Sequence, residues 1–194
     1  MTDAGPHDTR SDQELITAIN AGDDAAFDEL YDRYKQWAVN LAFRFVGNHE
    51  LALDAMQETF VYVYKKFPGF ELTCQFKTFL YPVVRHTSIR LAKKRRRLNP
   101  QQTLVDADLG GSSDSTAPID LDAAAANLKR ELSRVMAALP ETHREVVLLR
   151  FIDDLSMAEI GEAMEIPVGT VKSRLHHALK QLREDPATKK YFGQ

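Results

Sequence analysis

The chain has 194 residues and a net charge of -3, with 44% hydrophobic and 27% charged residues, values of a soluble globular protein with one domain or two small ones. Its one cysteine, Cys74, excludes an internal disulfide, and no Cys/His cluster has the spacing of a metal site, so a reducing, cytoplasmic compartment and no metal or cofactor are expected. No run approaches the roughly 18 consecutive apolar residues of a membrane helix, and the opening MTDAGPHDTRSDQE has neither the basic nor the apolar part of a signal peptide; membrane insertion and export are not expected.

The charge is unevenly distributed, and its distribution sets the local field. Residues 1–60 are acidic. Residues 85–97 hold Arg85, Arg90, Lys93, Lys94, Arg95, Arg96 and Arg97 with no acid among them, and residues 98–127 contain five aspartates and no base.

Ser11 followed by Glu14 matches a capping box, and Leu15, Ile16 and Ile19 follow at helical spacing, so a first helix starts there. Gly22-Asp23 breaks and re-caps the chain. Phe27, Leu30, Tyr31, Tyr34, Leu41 and Phe45 then trace the apolar face of a second helix that ends at Gly47-Asn48. A third helix is predicted from about His49 to Phe67, with Ala52, Met56, Phe60, Val63 and Phe67 inward, stopping at Pro68-Gly69. A loop from Phe70 to Gln75 leads to a fourth helix over about Phe76 to Leu98, in which Pro82 should produce a kink or a loosened turn.

The stretch from Asn99 to Pro118 lacks apolar periodicity and reads as a flexible acidic linker, drawn over 99–121. Leu128, Leu132, Val135, Met136 and Leu139 then mark a fifth helix ending at Pro140, and Val146 to Phe151 lie in a sixth. No strand pattern appears. The expected fold is all-α, two helical domains over 1–98 and 122–187 joined by that linker.

The second domain carries the clearest motif. Ser156 and Glu159 form another capping box, opening a short helix with Ile160 and Met164 inward and with Gly161 permitting close approach of a neighbour. Glu165-Ile166 makes a turn, Pro167 suits the first position of the next helix, and Val171, Leu175, Ala178, Leu179 and Leu182 form its buried face. The opposite face presents Lys172, Ser173, His176, His177 and Lys180, with Arg174 at the flank. Short helix, tight turn and longer helix with basic and hydrogen-bonding residues outward is the geometry that enters the major groove of DNA and reads base edges. Spacing alone leaves open an amphipathic pair whose outer face is merely solvated.

The string LSMAEIGEAMEIPVGTVKSRLHHALKQL, Leu155 to Leu182, resembles the promoter-reading region of bacterial sigma factors, and Leu139 to Ser156 resembles the helix leading into it. Asp54 to Phe60 is similar to the family's polymerase-binding helix, and Phe76 to Arg97 to its strand-opening helix. With two domains and no others, the chain resembles the compact extracytoplasmic function (ECF) group of the sigma-70 family, whose second domain is a helix-turn-helix of winged-helix-like type. The resemblance implies a non-enzymatic, cytoplasmic subunit that directs core RNA polymerase to promoter DNA and is held in check by an anti-sigma factor. It implies polymerase contact through Asp54, Gln57 and Glu58, and upstream (-35) readout by Lys172, Ser173, Arg174, His176, His177 and Lys180. Downstream (-10) recognition and melting would fall to Lys66, Phe70, Phe79, Arg85, His86, Arg90, Lys93 and Lys94. The Phe70 loop with Lys66 and His86 would line a pocket for a flipped base, and Phe79 would stand where the strands part.

The residues of the first domain agree without the family, since single-stranded DNA is held by aromatic platforms and cations and both occur between Lys66 and Arg97. Equally open from composition is an aromatic core beside a solvated basic helix end. This chain also departs from the family's usual Trp at Phe79, Asn at His86, basic residue at Pro82, acid at Leu53 and Asp at Arg90. The missing acid at Leu53 makes Thr59 a candidate for added negative charge by phosphorylation. Asp106, Asp108, Asp114, Asp120 and Asp122 of the linker would lie in the polymerase RNA channel by resemblance, or be a solvated tether. No nucleophile elbow, HExxH, Walker or Rossmann motif is present. Two other classes stay in view: a stand-alone helix-turn-helix regulator that binds duplex DNA as a dimer, and a signalling adaptor.

Overall fold

The computed structural model describes residues 10–98, 133–186 and 188–189. The predicted linker over 99–121, the five aspartates from Asp106 to Asp122, and Leu128 and Leu132 of the predicted fifth helix lie outside the described residues. The chain divides into two compact units, residues 1–108 and 109–194. Every regular element among the described residues is helical.

In the first unit α1 spans Asp12–Asn20, α2 Asp24–Val46, α3 His49–Tyr64 and α4 Phe76–Leu98. Their starts are set by local side-chain chemistry. The Ser11 backbone N–H donates to Glu14 Oε2 at 2.6 Å while the Glu14 N–H donates to Ser11 Oγ at 3.3 Å, the reciprocal box expected from sequence. Asp23 accepts from the Ala26 N–H at 3.3 Å and Asn48 from the Leu51 N–H at 3.0 Å, which starts α2 and α3. Gly47 closes α2 at φ +64°, a left-handed conformation that glycine adopts without the Cβ clash of other residues.

Helix α2 packs against α1, α3 and α4, and α3 also packs against α4. Leu15, Ile16, Leu30, Leu41, Val63, Phe76, Leu80, Tyr81 and Val84 are fully or almost fully buried between them. Burial of one such side chain stabilises by about 1.5–3 kcal/mol, and this shared core determines how α4 presents its outer face. α4 runs uninterrupted through Pro82. The proline removes the N–H that would have reached the carbonyl of residue 78 without ending the helix, because the flanking Tyr81 and Val84 are held at 0% exposure in the core.

The third helix is shorter than its apolar pattern implied. α3 ends at Tyr64, and Phe67 is a half-buried residue after a turn rather than an inward helical one. Aromatic packing explains its apolarity: the Phe67 ring meets Phe27 at 6.4 Å and Phe70 at 5.5 Å, both edge-to-face. The Phe67-Pro68 peptide bond is cis.

In the second unit a helical segment over 133–138 is followed by α5, Glu141–Phe151, α6, Met157–Ala163, and α7, Val168–Glu184. Val135, Leu139, Val146, Leu149, Leu155, Ile160, Val171, Leu175 and Ala178 are buried. The 133–138 segment is tied to α5 by Arg144, whose guanidinium donates to the carbonyls of Met136, Ala137 and Leu139 at 2.8, 2.9 and 3.0 Å. One side chain thereby bonds three carbonyls at the helix end, of which that of Met136 also accepts from the Leu139 N–H at 3.2 Å. No strand, and so no wing, follows α7 among the described residues.

Candidate nucleic-acid interface

The helix-turn-helix is assembled by short-range constraints. Ser156 and Glu159 make their reciprocal cap, with the Ser156 N–H 2.7 Å from Glu159 Oε2 and the Glu159 N–H 3.3 Å from Ser156 Oγ. α6 ends where the Ile166 N–H donates to the Gly161 carbonyl at 2.9 Å and Glu165 takes φ +56°. A Cβ on Gly161 would lie 3.0 Å from the Ile166 carbonyl oxygen and 3.4 Å from Val168 Cγ2, so the turn folds back onto the space a side chain would fill. Pro167, expected as the first helical residue, is instead the cap, with extended ψ of 142°, and helix begins at Val168. The missing N–H is harmless at either position.

On α7 the buried side is Val171, Leu175 and Ala178, with Leu179 and Leu182 half-buried at its margin. Lys172, Ser173, His176, His177 and Lys180 are all exposed on the other side, and Arg174 is half-buried between the two. Eight residues of helix separate Lys172 from Lys180, or about 12 Å along the axis, the width of the B-DNA major groove. The Lys180 ammonium lies 3.9 Å from the exposed Glu184 carboxylate, and the His176 and His177 rings are 5.7 Å apart, with His143 of α5 6.4 Å from His177. No group of three potential ligands able to hold a metal occurs among the described residues.

In the first unit the predicted residues fall into three groups. The Phe70 ring packs on Phe79 at 4.7 Å, and Phe79 in turn lies 5.9 Å from Phe76, whose ring is fully buried. Phe70 and Phe79 are thus half-buried extensions of the core, one end packed and one end wet. Lys66 sits above the Tyr62 ring at 5.0 Å, a cation–π contact within its own neighbourhood. His86 follows Phe79 by about two turns of α4. Together with Arg90, Lys93, Lys94 and Arg97 it lines an open cavity of about 540 Å³ on α4, with Ile89 and Leu98 supplying apolar wall. Arg85, a half-buried residue on another side of the helix, lies 6.0 Å from the Phe45 ring centroid.

The third group is on α3, where Asp54, Gln57 and Glu58 are exposed on one side, three and four residues apart, with Leu53 36% exposed beside them. The Glu58 carboxylate forms an ion pair with Arg90 of α4, so a residue expected to meet polymerase and one expected to meet DNA hold each other. Thr59 is not accessible: it is 0% exposed, and its hydroxyl donates to the Ala55 carbonyl at 2.7 Å. Phosphorylation there would need the helix face to leave the core, which overturns the expectation of a modification site.

Sequence reading missed several residues that position these surfaces. Asn20, the last residue of α1, bonds the loop after α3 three times: its Oδ1 accepts from the N–H groups of Gly69 at 2.7 Å and Phe70 at 3.1 Å, and its Nδ2 donates to the Phe70 carbonyl at 2.8 Å. Arg33 bridges Asp12 at 2.6 Å and Glu29 at 2.8 Å, and the Tyr34 hydroxyl donates to Asp12. Burial first, and the Asp12 hydrogen bond second, push the Tyr34 phenol well above its usual range. These contacts fasten α1 to α2. No periodicity or motif announces the bonds to Asp12 and to the loop, because those partners lie 21 to 50 residues away.

Residues 30–98 match the Sigma-70 region 2 family and residues 129–182 the Sigma-70 region 4 family. The chain is 32% identical over 182 residues to the ECF RNA polymerase sigma factor SigW of Bacillus subtilis, which covers 89% of this chain and 95% of that protein. It is 30% identical over 173 residues to the ECF RNA polymerase sigma-E factor of Escherichia coli K12, covering 87% and 90%. Among solved structures the fold matches CnrH, determined in complex with the cytosolic domain of CnrY, with a TM-score of 0.62 at 20% identity over 89% of this chain and 94% of that one. It also matches the sigma factor RpoE of Bartonella quintana, determined with the anti-sigma factor NepR, with a TM-score of 0.58 at 22% identity over 81% and 94%. Matches to both sigma-70 regions in order, and to whole relatives over nearly their full length, show that the chain belongs to the ECF group of bacterial RNA polymerase sigma factors.

Proposed function

We propose that this sigma factor divides promoter recognition between its two units, a first domain over 1–98 and a second over 122–187. As a member of its family it directs core RNA polymerase to promoters. The observation that carries the reading is the joint presence of region 2 and region 4 in one chain. That pairing leaves a stand-alone duplex-binding regulator without support. Catalysis of RNA synthesis then belongs to the polymerase, and the working compartment is the cytoplasm, where the polymerase that this family serves acts.

In the second unit α7 enters the major groove of the upstream element. Lys172 and Lys180 neutralise phosphates or bond guanine edges, Ser173, His176 and His177 supply hydrogen bonds, and Arg174 works from the flank. In the first unit the α4 cavity with His86, Arg90, Lys93 and Lys94 takes the backbone of the downstream element, assisted by Arg85. The Phe70 loop, with Lys66 at its rim and Phe79 behind it, receives an unstacked base. Asp54, Gln57 and Glu58 meet the core enzyme. Because Phe79 is smaller than the tryptophan usual in the family, and packed on Phe70, strand separation relies on the Phe70–Phe79 pair rather than on one projecting ring. CnrH was solved with the cytosolic domain of CnrY and RpoE with the anti-sigma factor NepR, and from the latter we extend an anti-sigma factor to this chain as a partner.

Run-off transcription with bacterial core polymerase, on promoters selected in vitro with this protein, tests the proposal. A start-site-specific transcript that depends on the chain is expected. No such transcript, with no binding to core, would refute it.

A further inference from the structure

We infer that Asn20 is a positioning residue for downstream-element readout, setting the base-receiving loop from the far end of the chain's first helix. The inference rests on the reading of the Phe70 loop given above. Its basis is the three-bond clamp. A single carboxamide takes both N–H groups of Gly69 and Phe70 at 2.7 and 3.1 Å and gives its own N–H to the Phe70 carbonyl at 2.8 Å. The amide therefore bonds both backbone polar groups of residue 70, the residue whose ring would stack on a base. Loop backbone held this way loses freedom that a free loop would have to surrender when a base enters.

The clamp acts together with two other contacts. The Tyr64 hydroxyl at the end of α3 donates to Asp24 Oδ1 at 3.3 Å, tying the near side of the loop to the first residue of α2. The Phe70 ring is itself held between Phe67 at 5.5 Å and Phe79 at 4.7 Å. The rings restrain where Phe70 sits and Asn20 restrains how its backbone is turned. Asn20 is half-buried and reaches no residue assigned to DNA except through that backbone, so it positions the readout without touching the base.

The test uses full-length protein bound to core polymerase and, as probe, a single-stranded oligonucleotide carrying the downstream element of a promoter selected with the parent holoenzyme. Asn20→Ala removes all three bonds and is expected to weaken probe binding about tenfold and to narrow the preference among the four bases at the most strongly selected position. Affinity for core and for duplex upstream DNA should stay at the parent value. Asn20→Asp keeps the acceptor for both N–H groups but sets an oxygen against the Phe70 carbonyl, so its loss should be intermediate. Parent-like probe affinity and base preference in Asn20→Ala would overturn the inference, as would a loss matched by an equal loss of core affinity, which would mark a purely structural role. Phe70→Ala separates the inference from its premise. If Phe70→Ala also binds the probe like the parent, the reading of the loop falls; if it weakens binding while Asn20→Ala does not, only the role of Asn20 falls.

Discussion

The two surfaces proposed to face DNA in this sigma factor are built on opposite plans. On α7 every proposed contact is a side chain on one helix, and its placement follows from the 3.6-residue period once Val171, Leu175 and Ala178 are buried. The downstream surface is assembled from the loop after α3, the rings of α4 and an amide from α1, elements that meet only when the first unit is folded. Side chains on the first surface should therefore act almost independently. Those on the second should depend on the core behind them.

The largest expected effect probes that dependence. Phe76 is 0% exposed, its ring 4.8 Å from Tyr34 and 5.9 Å from Phe79. Phe76→Ala should cost the first unit about 3–5 kcal/mol. Chemical denaturation followed by circular dichroism should show the first unit unfolding earlier, with probe binding at the downstream element lost alongside. Duplex binding through α7 should survive in the same sample. Simultaneous loss of both would show that the two surfaces are not separately supported.

A smaller effect tests the α7 plan. Lys172 is exposed, and Lys172→Ala should weaken duplex upstream binding by about 1–3 kcal/mol if it bonds a base edge, or reduce the salt slope by about 1 with uniform weakening across sequences if it meets a phosphate. Arg174→Ala should have the lesser effect, since Arg174 is half-buried at the edge of the face. Titration of holoenzyme binding against salt, on matched and mismatched duplexes, distinguishes these outcomes. A larger effect from Arg174 would rotate the face that reads DNA toward the flank.

The same contrast explains what the sequence could show. The Ser11/Glu14 and Ser156/Glu159 caps, the Gly47 stop and the outward face of α7 are set within one or two helical turns, so local pattern found them. Asn20 escaped because a side chain that bonds backbone 49 and 50 residues away leaves no spacing rule behind, and Arg144, whose partners lie five to eight residues back, because no pattern marks which arginine turns onto a helix end. Thr59, a candidate for modification by sequence, is buried. A threonine can lie inside a helix bundle when its hydroxyl bonds the carbonyl four residues earlier, as here to Ala55, and the sequence does not mark which threonines do so. Phe67 was assigned to helix because its ring is apolar, but its burial comes from Phe27 and Phe70 rather than from helical register.

The smallest expected effect concerns the Arg90–Glu58 pair, which joins the proposed DNA surface of α4 to the proposed polymerase surface of α3. Both side chains are substantially exposed, 59% and 45%, so solvent screens the attraction and the pair should contribute less than about 1 kcal/mol to stability. A double-mutant cycle with Arg90→Ala and Glu58→Ala, read by denaturant unfolding, should return a coupling energy within that bound. The informative measurement is the same cycle read by core affinity. If the ion pair persists in the holoenzyme, Arg90→Ala weakens core binding through Glu58 and the two substitutions are not additive. If core polymerase takes Glu58 for itself, Arg90 is released to DNA, and its substitution affects probe binding alone. Additive core affinities would favour that release, and with it a first unit whose DNA-binding charge increases when polymerase is engaged.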